Sequence, residues 1–264
     1  MDAHPSQSQN AGASGGRAPG PRAWDPNCPD VLRWLEQAEI VATRPIPRGS
    51  NATFLVRLAC PEAGESLAVY KPRRGEAPLW DFPSGTLYRR ELGAYLVSQA
   101  LGWPAVPPTV IRNGPYGVGT VQLYIDHQPE THYFTFGGAH LPDLQRIAAF
   151  DALTNNADRK GGHCLEDAAG RVWCIDHGLT FHTDYKLRTV VWDFHGQPIP
   201  DDLLDALQAL RERLDQPDDP LVHALGELLA PAEVHALLRR SDALREAGTF
   251  PEPGPYRNTP WPMV

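Results

Sequence analysis

Strand-forming and helix-forming residues are segregated into two halves of the chain, and this narrows the fold more than any other feature. "NATFLVRLACP" and "ESLAVYKP" carry β-branched and aromatic residues bounded by Gly, Pro and Glu. They predict two or three antiparallel strands, with "PRGSN" as the turn ahead of them and "VLRWLEQAEIV" as a short helix before that. "PPTVIRNGPYGVGTVQLYID" returns to strand chemistry around an Asn113–Gly114 turn. One helix interrupts, over residues 85–101. It sets Leu87, Glu91, Tyr95 and Ser98 on one face, an odd setting for a free acid. Beyond residue 141 the pattern is helical in "LPDLQRIAAFDALTNN", "DDLLDALQALRERL" and "PAEVHALLRRSDAL". The expected fold class is α+β, a β-rich lobe followed by a mostly helical one with a ligand cleft between them.

The expected divisions are a disordered tail over 1–23, the β-rich lobe over 24–126, the helical lobe over 127–249 and an irregular Pro-rich tail over 250–264. The first tail is rich in Gly, Ser, Pro and Ala and cannot bury enough surface to offset its ordering entropy. A chain of 264 residues, 42% of them hydrophobic, suffices for a real core. Its acids are scattered, the formal charge is −8, and no basic stripe would follow a phosphate backbone, so nucleic acid is not expected as a partner. Cys28, Cys60, Cys164 and Cys174 form no CxxC pair, the N-terminus lacks a secretory pattern, and no apolar run is long enough for a membrane span. These features predict a cytoplasmic protein with reduced thiols.

The chemistry concentrates in "NNADRKGGHCLEDAAGRVWCIDHGLTF". Asp158 follows a predicted helix and precedes a strand, so it sits on a loop held at both ends. Asp176 ends the strand "RVWCI". If "HCLED" and "RVWCID" pair through a turn at Ala168–Gly170, His163 and Asp176 meet at the open end of the hairpin. Carboxylates and an imidazole placed there suit a divalent cation of the Mg²⁺ type, which takes one or two carboxylates plus substrate phosphates. Phosphoryl transfer is the reaction class that needs this arrangement.

The order helix, "DRKGGH", hairpin, "IDHG" resembles the catalytic core of the phosphatidylinositol 3-/4-kinase-like branch of the protein-kinase-like fold. The resemblance implies ATP and Mg²⁺ or Mn²⁺ as cofactors. It makes Asp158 the catalytic-loop acid that orients or deprotonates an acceptor hydroxyl, and Asp176 the metal ligand. His163 stands where the family has Asn, as a second ligand to metal or phosphate; an imidazole of ordinary pKa, near ~6.5, would lose that capacity on acidification. Arg159 and Lys160 would neutralise charge developing on the transferred group. Lys71 in "AVYKP" and Glu91 on the following helix resemble the ion pair that holds the α/β-phosphates. "RGSNATFLV", with Ser50 and Asn51, would cover the phosphates, and the main chain of Leu123, Tyr124 and Ile125 would face adenine. The acceptor is an unidentified lipid, protein or small-molecule hydroxyl.

Three alternatives share parts of this pattern. A pseudokinase would bind nucleotide without turnover, and a kinase-fold enzyme can transfer adenylyl in place of phosphoryl. A zinc hydrolase would use His163, Cys164, Cys174, Asp176 and His177, although neighbours on a strand point to opposite faces and no HExxH-type helix is present.

Overall fold

A computed structural model describes residues 23–47, 50–255 and 257–264. The tail expected over 1–23 therefore lies, except for Ala23, outside the described residues, as do Arg48 and Gly49 of the turn expected to cover phosphates.

The first half is a five-stranded antiparallel sheet in the order β1-β2-β3-β5-β4. Its strands are β1 (Glu39–Ile46), β2 (Thr53–Cys60), β3 (Gly64–Pro72), β4 (Thr109–Gly114) and β5 (Gly117–Leu123). In β3, Ser66, Ala68, Tyr70 and Pro72 turn into the lobe core, so the two-residue period sends Leu67, Val69 and Lys71 to the opposite face. Val56, Leu58, Val110, Val121 and Leu123 pack with Ala68 and Tyr70, closed over by Val31 and Leu35 of the short helix α1 (Val31–Gln37). The pattern "AEIV" had extended that helix to residue 41; instead the chain straightens at Ala38 and Glu39 begins β1. This is an edge strand with no buried residue and with Pro45 in it, so the alternation that marks a half-buried strand is missing.

Helix α2 (Leu87–Ala100) joins the two halves and is buried on more than one side. Glu91 turns toward Lys71, whereas Arg90, 1% exposed, pairs with Glu233 of helix α6 (Pro231–Ala247) and donates to Thr180 O at 2.6 Å.

The second half begins with α3 (Leu141–Thr154), which stops where Asn155 takes a left-handed conformation at φ 55°. A small hairpin follows, β6 (Cys164–Glu166) and β7 (Val172–Cys174), turning at Asp167–Gly170. In α4 (Asp201–Leu214) the buried residues are Leu203, Leu207, Leu210 and Leu214, the spacing of one apolar stripe. They share the larger core with Ile147 and Leu153 of α3 and with Leu237 and Leu244 of α6. Helix α5 (Pro220–Leu228) escaped the sequence reading although its start is marked: Asp219 caps it, accepting from Leu221 N at 2.7 Å, and Pro220 is its first residue.

Residues 257–264 carry no regular element, but their main chain is tied down. Asn258 O accepts from Thr189 N (3.1 Å) and Trp192 Nε1 (3.0 Å), and Met263 O accepts from Gly161 N at 2.7 Å. No helix among the described residues is long and apolar enough to cross a membrane.

Candidate active site

Lys71 reaches from β3 into the cleft and bonds two carboxylates. One is Glu91 Oε1; the other is Asp176 Oδ1, at 2.9 Å. Glu91 is almost wholly buried, and its second oxygen accepts from His177 N at 3.1 Å, which fixes α2 to the loop beyond the hairpin. Burial alone would push Lys71 down, but Asp176 and Glu91 together hold its pKa above the ordinary lysine value, so it is a cation at any ordinary pH. Asp176 is pulled in the opposite direction, well below the carboxylate range, with Lys71 the largest cause.

Asp176 adopts φ 63°, a left-handed conformation uncommon for a residue other than glycine. Its side chain keeps 47% exposure, and Oδ2 faces His163 Nε2 at 3.4 Å. Burial, assisted by the cations Arg159, Lys160 and Lys71 and opposed by Asp176, lowers the His163 pKa to about 4. The imidazole is therefore neutral over the physiological range. This corrects the expectation that it titrates near its ordinary value.

Asp158 sits on the loop between α3 and the hairpin, with Oδ2 at 3.0 Å from Lys160 Nζ, and its backbone N donates to Asn156 Oδ1 at 3.0 Å. Its pKa is raised chiefly by burial, with Lys160 working against the shift. A carboxylate of raised basicity next to a cation can accept a proton from a hydroxyl.

Arg159 departs from its expected role. It is 0% exposed and does not reach the cleft, so it cannot touch a transferred group. Its guanidinium grips Asp151 of α3 through Nε and one terminal nitrogen at 3.0–3.2 Å, donates to Ile175 O at 2.9 Å and approaches His177 Nε2 at 2.7 Å. Asp151 also accepts from Asn156 Nδ2 (3.0 Å) and Thr189 Oγ1 (3.2 Å). This buried cluster fastens the Asp158 loop, the Asp176 segment and α3 into one unit. Sequence reasoning passed over Asp151, yet the signal was present: an acid inside the apolar run "IAAFDALT", the same oddness that singled out Glu91.

One further expectation is revised and another is narrowed. Asn51 faces the protein: its Oδ1 accepts from Ala77 N at 2.7 Å, pinning the turn between β1 and β2 to the chain beyond β3, while Ser50 beside it is exposed. At the end of β5, Leu123 N donates to Pro108 O (2.9 Å), Tyr124 N to Leu67 O (3.1 Å), and Ile125 O accepts from His127 Nδ1 (2.9 Å). These three groups are engaged inside the protein, and a contact with adenine would fall to the other main-chain groups of the segment.

A hard cation with a high oxygen demand fits what remains. One half-exposed carboxylate beside a neutral imidazole leaves most coordination positions to phosphate oxygens and water, as Mg²⁺ prefers. A protein-only zinc site does not fit. Cys164 and Cys174 face each other across the hairpin, His177 turns to Arg159, and no group of three or more His, Cys, Asp or Glu side chains among the described residues is arranged to hold a metal.

Comparison with known proteins identifies the fold. The architecture matches the structure of hydra Fam20 with sugar (TM-score 0.52, 17% identity, 82% of this chain and 86% of that one). It also matches the Golgi casein kinase with Mn/ADP bound (TM-score 0.51, 15% identity, 83% and 74%). The fold is thus that of a two-lobed, protein-kinase-like protein. In sequence, the chain is 25% identical over 203 residues to phosphatidylinositol 4-kinase gamma 2 of Arabidopsis thaliana, matching 64% of this chain but only 36% of the plant protein. No family model matches the chain. It is 41% identical over 264 residues to Protein Rv2133c of Mycobacterium tuberculosis, across 86% of this chain and 93% of that protein. By this extent of identity the chain belongs to the family of Protein Rv2133c, and its fold is protein-kinase-like.

Proposed function

We propose that the protein is an ATP-dependent phosphotransferase of the phosphatidylinositol 3-/4-kinase-like type, passing the γ-phosphoryl group to an alcohol. The observation that carries this reading is the junction at Lys71, where a strand lysine, a helix carboxylate and a carboxylate after a hairpin meet in one ion-paired cluster. Lys71 binds the α/β-phosphates and Glu91 holds it in place. Asp176 and His163 are the residues that would hold Mg²⁺ or Mn²⁺, which when bound offsets the charge on the phosphate oxygens. Asp158 orients the acceptor hydroxyl and takes its proton, and Lys160 neutralises charge beside it.

Arg159 acts at one remove, holding the Asp158 loop against the Asp176 segment. The likeness to a plant phosphatidylinositol 4-kinase and the Mn/ADP bound by the Golgi casein kinase both support nucleotide chemistry here. The acceptor hydroxyl belongs to a lipid, protein or small molecule. The four free cysteines suit a cytoplasmic setting.

The test is incubation of the purified protein with γ-labelled and, separately, α-labelled ATP, each with and without cell lysate. Movement of the γ-label alone, lost in Asp158→Asn, supports phosphoryl transfer. Movement of the α-label establishes adenylyl transfer instead, and nucleotide binding with neither label moving establishes a pseudokinase.

A further inference from the structure

Cys164 and Cys174 stand directly opposite each other in the β6–β7 hairpin. Ile175 N donates to His163 O at 3.0 Å, while Cys174 N turns away to Ala105 O at 2.6 Å. The two cysteines are therefore a non-hydrogen-bonded pair, the kind in which facing side chains of an antiparallel ladder come closest. Both thiols are free and wholly buried, and phosphoryl transfer uses neither. Their place in the chain is not neutral, however. His163 immediately precedes one, and Asp176 follows the other by two residues.

We propose that Cys164 and Cys174 are a redox-active dithiol that closes to a cross-strand disulfide on reaction with hydrogen peroxide, and that the closed form weakens cation-dependent nucleotide binding at Asp176. One sulfur, as thiolate, attacks a peroxide oxygen; the O–O bond breaks, hydroxide leaves and takes up a proton to become water, and a sulfenic acid remains. The second sulfur attacks the sulfenic sulfur, the S–S bond forms, and a second water departs. Two thiols lose two electrons in total and one peroxide gains them. A small oxidant reaches the buried pair when the hairpin opens locally, since each strand is only three residues long.

Directly opposed Cβ atoms lie about 4.5–5.5 Å apart in a ladder, and a disulfide brings them to about 3.5–4.5 Å. A non-hydrogen-bonded pair holds its Cα atoms about 4.5 Å apart, the short end of what a disulfide accepts, so closure fixes the cysteine rotamers and forces the strands off their present spacing between His163 and Asp176. The 3.4 Å spacing of Asp176 Oδ2 and His163 Nε2 in the reduced protein is set across that hairpin, so closure shifts the carboxylate from the position in which it would meet a cation. The effect on nucleotide rests on the function proposed above, whereas the disulfide itself does not.

The experiment uses full-length protein carrying Cys28→Ser, which removes the one cysteine that is not buried. After peroxide treatment, trypsin cuts at Lys160, Arg171 and Lys186, so a closed pair appears without reductant as peptide 161–171 joined to peptide 172–186. The joined peptides are expected, together with Mg²⁺·ADP affinity at least fivefold weaker by calorimetry, both reversed by dithiothreitol. Cys174→Ala should give no joined peptides and no change in affinity. Unlinked Cys164 and Cys174, recovered as thiols or sulfinic acids, would overturn the proposal. Linked peptides with unchanged Mg²⁺·ADP affinity would overturn its coupling to the site. If the reduced protein binds no Mg²⁺·ADP at all, the phosphotransferase reading and that coupling fall together, and the joined peptides alone decide the dithiol.

Discussion

Lys71 Nζ lies 2.9 Å from Asp176 Oδ1, so a strand of the β-rich half and a loop 105 residues later share one cation. Glu91 completes the cluster from α2. The lysine thus holds in place both the helix that orients it and the carboxylate assigned to metal.

Lys71→Ala and Glu91→Ala should not act independently. Each removes the same interaction, so the double mutant should lose no more than about threefold in kcat/KM for ATP beyond the worse single mutant. A steady-state double-mutant cycle measures this; fully additive losses would mean that the two residues serve separate purposes.

Asp158→Asn should cut turnover by roughly 10²–10⁴-fold while Mg²⁺·nucleotide affinity stays within a few fold, because in the proposed function the side chain serves the acceptor hydroxyl and not the phosphates. Kinetics paired with calorimetry separate the two quantities. Equal losses in both would move Asp158 from proton transfer to nucleotide binding.

Asp151→Ala leaves Arg159 charged, buried and without its carboxylate. Breaking one side of such a pair costs about 3–5 kcal/mol, so thermal unfolding should move down by on the order of 10 °C. A surface change such as Asp30→Ala, which removes one partner of an exposed ion pair with Arg33, should shift the midpoint by no more than a degree or two. Equal shifts in the two variants would mean that the buried cluster does not organise the fold.

Acid should destabilise the protein through its histidines. Burial lowers His163 to about 4 and drives His177 well below its ordinary value, so the unfolded chain binds more protons than the native one over this range. The stabilisation is fully present above ~6.5 and is lost as pH falls through about 4, with His163 contributing roughly 3 kcal/mol. Denaturant unfolding of wild type and His163→Asn from pH 8 to 4 tests it. The mutant should show the shallower decline, and parallel curves would remove His163 as a source of acid sensitivity.

How legible this was in the sequence depended on whether a residue's partner lay nearby in the chain. The period of two in "ESLAVYKP" and the apolar stripe of "DDLLDALQALRERL" report burial directly, and both elements were readable. His163 and Asp176 flank one hairpin whose turn chemistry is local, so their meeting could be anticipated. Arg159 and Asn51 could not be assigned, because a polar residue on a loop looks the same whether it faces a cleft or the interior. What settles it is a distant or buried partner, Asp151 in one case and the Ala77 amide in the other. Edge strand β1 was hidden for a related reason: with neither face buried, nothing imposes an alternation on its residues.

Asp176 is proposed to hold the cation through which nucleotide is bound, and calorimetric titration of a non-hydrolysable ATP analogue into wild type and Asp176→Asn, with Mg²⁺ and with chelator, measures this directly. Binding by wild type should strengthen at least tenfold with Mg²⁺, and a folded mutant should lose that dependence. An Asp176→Asn protein that keeps the Mg²⁺ dependence of wild type, or a wild type indifferent to Mg²⁺, would contradict it.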